Sequence, residues 1–205
     1  MNNLTSEERI KLIDEMIAQT RNNTQKGAGN VMIICGYCVA IIALLNILLV
    51  YTLEQPQYAA WIWLLSIPMT IVSLIINKKK DRRALVKTQV DKIMSKTWIA
   101  FLLSNIALLT VIFSSFFVFD TWLFAVLITP VILIMLGSGQ YITGVIMGFR
   151  PFYYGSGLFW IGAILCIILY PIIHQTGQFV ILAICMIAGF AVPGHALNRK
   201  AEKDV

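Results

Sequence analysis

Very few residues in this chain combine a reactive side chain with a spacing that supports chemistry. Cys35 and Cys38 have the separation of a redox pair, but they lie inside an apolar run with no neighbouring charge to favour a thiolate. The only two histidines are expected on opposite faces of the membrane, with His174 in the loop before the last apolar run and His195 near the far end of that run, and no carboxylate cluster accompanies either one. We therefore expect no catalytic residue, no metal site and no cofactor.

Neutral polar residues within the apolar runs are the next candidates. Glycines interrupt the fourth run, and such breaks expose backbone groups to ligands in transporters, although glycines also allow helices to pack closely. The sequence therefore suggests a helix break or a path for a neutral or lipid-like solute at Gly137, Ser138, Gly139 and Gln140, with Asn46 and Asn105 on the same path.

A lone arginine follows the fourth run in a tight turn, with two tyrosines close behind it. An interfacial arginine commonly extends to lipid phosphates, and it can also form part of an anion site. We expect Arg150, Tyr153 and Tyr154 to contact a headgroup or an anion.

The N-terminal segment has the pattern of a short amphipathic helix. Thr5 and Glu8 have the spacing of a capping box, and apolar residues then recur on one helical face. That face could lie on the lipid headgroups or dock a cytoplasmic protein. The candidate docking residues are Ile10, Ile13, Met16 and Ile17.

Composition identifies the elements that must carry these residues. Of the 205 residues, 59% are hydrophobic and 13% are charged, against about 45–50% and 25% in soluble domains. Six runs free of Asp, Glu, Lys and Arg are long enough to cross a bilayer as helices: 31–53, 60–77, 98–119, 122–148, 155–173 and 178–197. The predicted fold is all-α, a bundle of six transmembrane helices in three helical hairpins, and a soluble enzyme or a disordered chain is excluded.

The loops predict the orientation. All 16 Lys and Arg residues fall before the first run, after the second and fourth runs, or after the last. The positive-inside rule therefore places both termini in the cytoplasm, with a cytoplasmic amphipathic segment at 1–30, a membrane domain at 31–197 and a tail at 198–205. The basic loop at 78–97 lacks the stacking aromatics of a nucleic-acid site, so the bilayer is the expected partner of these charges.

Three short patterns give the chain a resemblance to a known family. They are Ile10…Met16-Ile17…Thr20-Arg21-Asn22-Asn23, Thr143-Gly144…Phe149-Arg150-Pro151…Gly155…Phe159-Trp160…Gly162, and Val192-Pro193-Gly194-His195…Leu197. The chain resembles small polytopic inner-membrane proteins of unassigned function that are common in Bacteroidetes. The resemblance implies a multi-helix protein of the bacterial inner membrane and an association with a cytoplasmic transcriptional regulator. It supplies no catalytic residue or substrate.

The sequence favours a non-enzymatic sensor or scaffold that engages a cytoplasmic partner. The alternative is a small channel or carrier for a neutral or lipid-like solute. An enzyme acting on lipid headgroups would have only His195, Asn198 and Arg150 as members of its site. Small residues in the spans permit an oligomer without requiring one.

Overall fold

A computed structural model describes residues 29–83, 89–121 and 123–203. Over these ranges the chain is helical and contains no strand, which confirms the predicted all-α class. The predicted docking residues Ile10, Ile13, Met16 and Ile17 lie outside the described residues.

Seven α-helices and three shorter helical segments follow one another along the described chain. The α-helices are α1 (Asn30–Thr52), α2 (Ser66–Arg83), α3 (Gln89–Phe119), α4 (Ile128–Met147), α5 (Arg150–Ile168), α6 (Tyr170–Met186) and α7 (Val192–Lys203). Two 3-10 helices precede α2 and α4, at Pro56–Leu65 and Leu123–Leu127, and a π-helical turn joins α6 to α7 at Ile187–Ala191.

Five helical stretches are long and apolar enough to cross a membrane, as the composition predicts. They are Asn30–Thr52, Ile93–Phe119, Leu123–Met147, Arg150–Ile168 and Tyr170–Lys203, and Tyr58–Ser73 is a shorter apolar helix. Helices are expected in such runs because lipid offers the backbone no hydrogen-bond partner. The protein is therefore membrane-embedded, with five to six apolar helices compatible with a bundle.

The turn between α4 and α5 is shorter than the sequence suggests. Gly148 ends α4 in the left-handed region, with φ of 60°, and Phe149 is extended. Pro151 then lies in the first turn of α5, where its fixed φ suits a helix start and its missing N–H costs nothing. The fifth span consequently begins at Arg150 rather than at residue 155.

The connection predicted at 174–177 coincides with a break in the helix. Helical hydrogen bonds continue across Leu169, for example from the Ile173 N–H to the Leu169 carbonyl, and the backbone leaves the helical region inside α6 at His174, where φ is 51° and ψ is −166°. At the other end the helix continues beyond residue 197 to Lys203, so most of the predicted tail is helical.

The predicted break at Gly137–Gln140 does not occur, because α4 is continuous through these residues. The glycines instead allow α5 to approach. A Cβ atom on Gly137 would lie 2.7 Å from Nε1 of Trp160 and 3.1 Å from the carbonyl oxygen of Ser156. Close packing is therefore the physical reason for a glycine at position 137, and the helix-break hypothesis is wrong.

The core forms where α1, α4, α5 and α6 meet. Its fully or largely buried apolar side chains include Ala43, Leu133, Phe159, Ala163, Cys166 and Met186. By contrast α3 lies at the periphery, since only 6% of its most apolar window is buried, against 56% for Tyr170–Lys203. The helix α3 thus presents most of its apolar surface to the surroundings of the bundle.

Candidate functional site

An open groove of about 690 Å³ lies along α7 at the end of the bundle where α1 begins and α5 begins. We call it the α7 groove. Apolar and basic side chains line it, namely Phe149, Val192, His195, Ala196, Arg199, Lys200 and Lys203. Among the described residues no Asp or Glu lines it, so three cations and a histidine share this surface without a neutralising carboxylate from that part of the chain.

Helical spacing produces the two faces of α7. His195, Arg199 and Lys203 recur every four residues and therefore project from one side of the helix, where all three are exposed. Leu197 and Ala201 lie on another side and are buried. This helix is amphipathic because its basic face leaves the bundle while its apolar face packs onto it.

A small aromatic cluster forms the wall of the α7 groove opposite the helix. Phe149 and Phe152 pack edge-to-face with their ring centroids 5.0 Å apart, and Leu197 packs with them in one buried cluster. The ammonium group of Lys200 lies 5.8 Å from the centre of the Phe149 ring, within the range of a cation–π contact. The cluster therefore fixes the distance between the α4–α5 turn and α7.

Polar contacts connect α7 to the beginning of α1. The Gly29 N–H donates to Oδ1 of Asn198 at 2.8 Å, and Nδ2 of Asn198 donates to Oδ1 of Asn30 at 2.7 Å. A Cβ atom on Gly29 would overlap the carbonyl oxygen of Gly194, so the two backbones touch. Gly29, where the N-terminal segment joins α1, is thus in direct contact with α7.

A further contact connects α1 to the basic face of α7. The hydroxyl of Tyr37 lies 3.3 Å from Nε2 of His195, and the two rings meet edge-to-face with centroids 6.0 Å apart. His195 therefore stands between α1 and the α7 groove.

The predicted headgroup residues do not line the α7 groove. Arg150 is the exposed first residue of α5, and Tyr154 is exposed on the same helix. Tyr153 is half-buried and packs edge-to-face on Tyr141, with centroids 5.4 Å apart. Of these three residues, Arg150 and Tyr154 are free to meet lipid, whereas Tyr153 packs against α4.

The predicted solute-path residues make separate structural contacts. Nδ2 of Asn46 donates to the carbonyl of Ala59 at 2.9 Å, and Nδ2 of Asn105 donates to the carbonyl of Phe101 at 3.0 Å. Ser138 bonds back to its own helix, to the carbonyl of Ile134 at 2.9 Å. None of these hydrogen bonds joins two of the predicted path residues.

Gln140 makes the hydrogen bond of that set that spans the most sequence. Its side chain is fully buried, and Nε2 donates to the carbonyl of Gly189, in the π turn, at 2.6 Å. Its Oε1 has no partner among the described residues. Gly155 lies beside both groups, since a Cβ atom there would overlap Nε2 of Gln140. Gln140 therefore connects α4, α5 and the π turn.

Gln178 is a second buried amide, and the sequence analysis did not single it out. Its Nε2 lies 3.4 Å from the carbonyl of Cys166, and its Oε1 has no partner among the described residues. Within the same residues no group of three or more His, Cys, Asp and Glu side chains could hold a metal ion. All four cysteines are free thiols.

The α7 groove is the site that sequence reasoning missed. One signal was present, because His195, Arg199 and Lys203 are visibly four residues apart. Assigning residues 198–205 to a tail concealed that spacing, and nothing in the sequence places Phe149 against α7.

Comparisons with protein-family models, curated proteins and solved structures give no match to this chain. The resemblance to small polytopic proteins of Bacteroidetes therefore stays a prediction.

Proposed function

We propose that the protein is a non-enzymatic sensor or scaffold of the bacterial inner membrane. Both termini lie in the cytoplasm in this proposal, and the N-terminal segment engages a cytoplasmic protein through Ile10, Ile13, Met16 and Ile17. The observation that carries the proposal is the contact between Gly29 and Asn198, at the point where that segment joins the bundle.

The geometry of this junction favours a scaffold. Asn198 accepts a hydrogen bond from the Gly29 N–H and donates one to Asn30, and the backbones of Gly29 and Gly194 touch. The point at which residues 1–28 join the bundle is therefore fixed beside α7. A protein bound to that segment alters the bundle only if its affinity differs between two states of the chain.

The carrier alternative receives less support from the described residues. Asn105 and Ser138 each donate to a carbonyl one turn earlier in their own helices, and Asn46 donates to the carbonyl of Ala59. Their positions are thus accounted for by packing within the bundle.

Affinity purification of the full chain from native membranes tests the proposal. We expect one protein to co-purify in a fixed ratio to the chain, measured by quantitative mass spectrometry. Replacing the four candidate residues together by alanine should remove it. Replacing Lys11 and Glu15 by alanine is the matched control, because helical spacing places these two on the opposite face of the segment.

Two results would contradict the proposal. One is a partner retained in full by the four-alanine variant, and the other is its equal loss from the Lys11 and Glu15 control. A chain that elutes with a tightly held small molecule and no protein would instead favour a carrier.

A further inference from the structure

We propose that the α7 groove binds one acidic phospholipid, with the phosphate among Arg199, Lys200 and Lys203 and the glycerol region against Val192 and Ala196. This site is independent of the proposed function, because it involves no residue of the N-terminal segment. It also differs from the headgroup contact that the sequence suggests at Arg150, Tyr153 and Tyr154.

The order of side chains along α7 matches the profile of a lipid at the membrane surface. The apolar lining residues Val192 and Ala196 come first, and the cations Arg199, Lys200 and Lys203 follow toward the end of the helix. At 1.5 Å per residue the lining extends over about 16 Å, enough to pass from the hydrocarbon into the headgroup layer. A phospholipid has the same order, from acyl chain to glycerol to phosphate.

Charge complementarity selects an anionic headgroup. Three cations line the α7 groove, and the one carboxylate described on α7, Glu202, is exposed and does not line it. Each Lys or Arg near an anionic membrane surface contributes roughly a fivefold gain in affinity. A neutral headgroup such as phosphatidylcholine would leave most of that attraction unused.

The groove is also held in shape before any lipid arrives. Phe149 is buried with Phe152 and Leu197, and Asn198 ties α7 to the beginning of α1. The helix that carries the three cations is therefore fixed, and Lys200 also contacts the Phe149 ring. A fixed helix lowers the entropy cost of bringing the cations around a phosphate, which distinguishes the site from isolated surface lysines.

The position of α7 favours a lipid over a soluble anion or an acidic protein. Residues 170–203 form one membrane-spanning stretch, so α7 continues directly from a span. Val192 is more than half exposed at the membrane side of the groove, where an acyl chain would cover it. A free phosphate would make no use of this apolar half.

Native mass spectrometry of the delipidated full chain tests the site. Phosphatidylglycerol and phosphatidylcholine with identical acyl chains are added in equal amounts, and bound adducts are counted. We expect phosphatidylglycerol to be retained in preference. Arg199→Gln should weaken its binding about fivefold, whereas Arg150→Gln, which removes an exposed cation outside the groove, should change it by less than about twofold.

Two further arms complete the test. Arg199→Lys keeps the charge and should retain most of the binding, which separates an electrostatic loss from a folding defect. Inorganic phosphate added in excess should leave the bound phosphatidylglycerol in place.

Three results would overturn the proposal. The first is equal retention of the two lipids. The second is an equal or larger loss in Arg150→Gln than in Arg199→Gln, which would return the headgroup site to the beginning of α5. The third is displacement of the lipid by inorganic phosphate, which would make the groove a site for a soluble anion.

Discussion

Gly155 lies at a crowded contact between helices, and replacing it by alanine should destabilise the bundle. The new Cβ would overlap Nε2 of Gln140 and lie 2.5 Å from the carbonyl oxygen of Gly189. Neither neighbour can yield easily, because one is a fully buried amide and the other is backbone. The hydrogen bond between Gln140 and Gly189 would have to lengthen or break.

Gly157 provides a matched control two residues further along α5. A Cβ atom there would meet nothing within 4 Å, so Gly157→Ala changes helix propensity alone, a gain of up to ~1 kcal/mol. Both variants share that gain, which therefore cancels in their comparison. Overpacking costs ~1–3 kcal/mol and the lost hydrogen bond ~0.6–1.7 kcal/mol, so Gly155→Ala should be ~2–5 kcal/mol less stable than Gly157→Ala.

The protein carries its own reporters for the measurement. Cys166 and Cys185 are 0% and 6% exposed, so a fluorogenic maleimide should label them as the bundle unfolds in detergent. For a chain of this size ~1 kcal/mol corresponds to ~2–4 °C, and the midpoints of the two variants should therefore differ by ~5 °C or more. Equal midpoints would refute the packing argument. Adding Gln140→Ala to Gly155→Ala should recover part of the loss, because the overlapping amide is gone.

Three other expectations follow from the described contacts. Leu197→Ala should lower the free energy of unfolding by ~2–5 kcal/mol, since Leu197 is buried against Phe149. Val192→Ala, at an exposed position, should lower it far less, and thermal unfolding of the two variants makes the comparison. Asn198→Ala should cost ~1–3 kcal/mol and speed amide hydrogen exchange at the beginning of α1, and unchanged exchange there would contradict the role of Asn198. In the folded protein Cys166 should resist N-ethylmaleimide, as intact-mass spectrometry of labelled and unlabelled chains would show, and rapid modification of all four thiols would contradict the buried core.

Five spanning helices and one shorter apolar helix could be predicted, because length and the absence of charge suffice to define a span in lipid. The ends of these helices could not be predicted from hydropathy. Where a helix leaves the membrane its residues become polar, but its backbone hydrogen bonds continue and the helix does not end there. Residues 198–203 look like a polar tail for this reason, yet they complete α7.

Irregular backbone was harder to locate. Glycines at 137 and 139 suggest a break, but lipid penalises unpaired backbone groups and α4 stays helical through both. One interruption occurs at His174, the first residue between the predicted runs 155–173 and 178–197, and the other occurs in the π turn, where no composition signal stands out. The partner of Gln140 is equally hidden, because the carbonyl of Gly189 lies 49 positions away in the chain.

The π turn at Ile187–Ala191 also sets the rotational phase of everything beyond it. A π turn closes its hydrogen bonds over one residue more than an α turn, so removing a single residue there would return the last span to a continuous α-helix. Each residue of an α-helix turns the chain by about 100°. A continuous α-helix that kept all five residues would therefore rotate α7 by about 100°, which would swing Leu197 out of its buried cluster and carry Arg199 away from Phe149. The π turn absorbs this extra residue, so the loss of one residue within it should be tolerated better than the loss of one residue from α6 or α7 on either side.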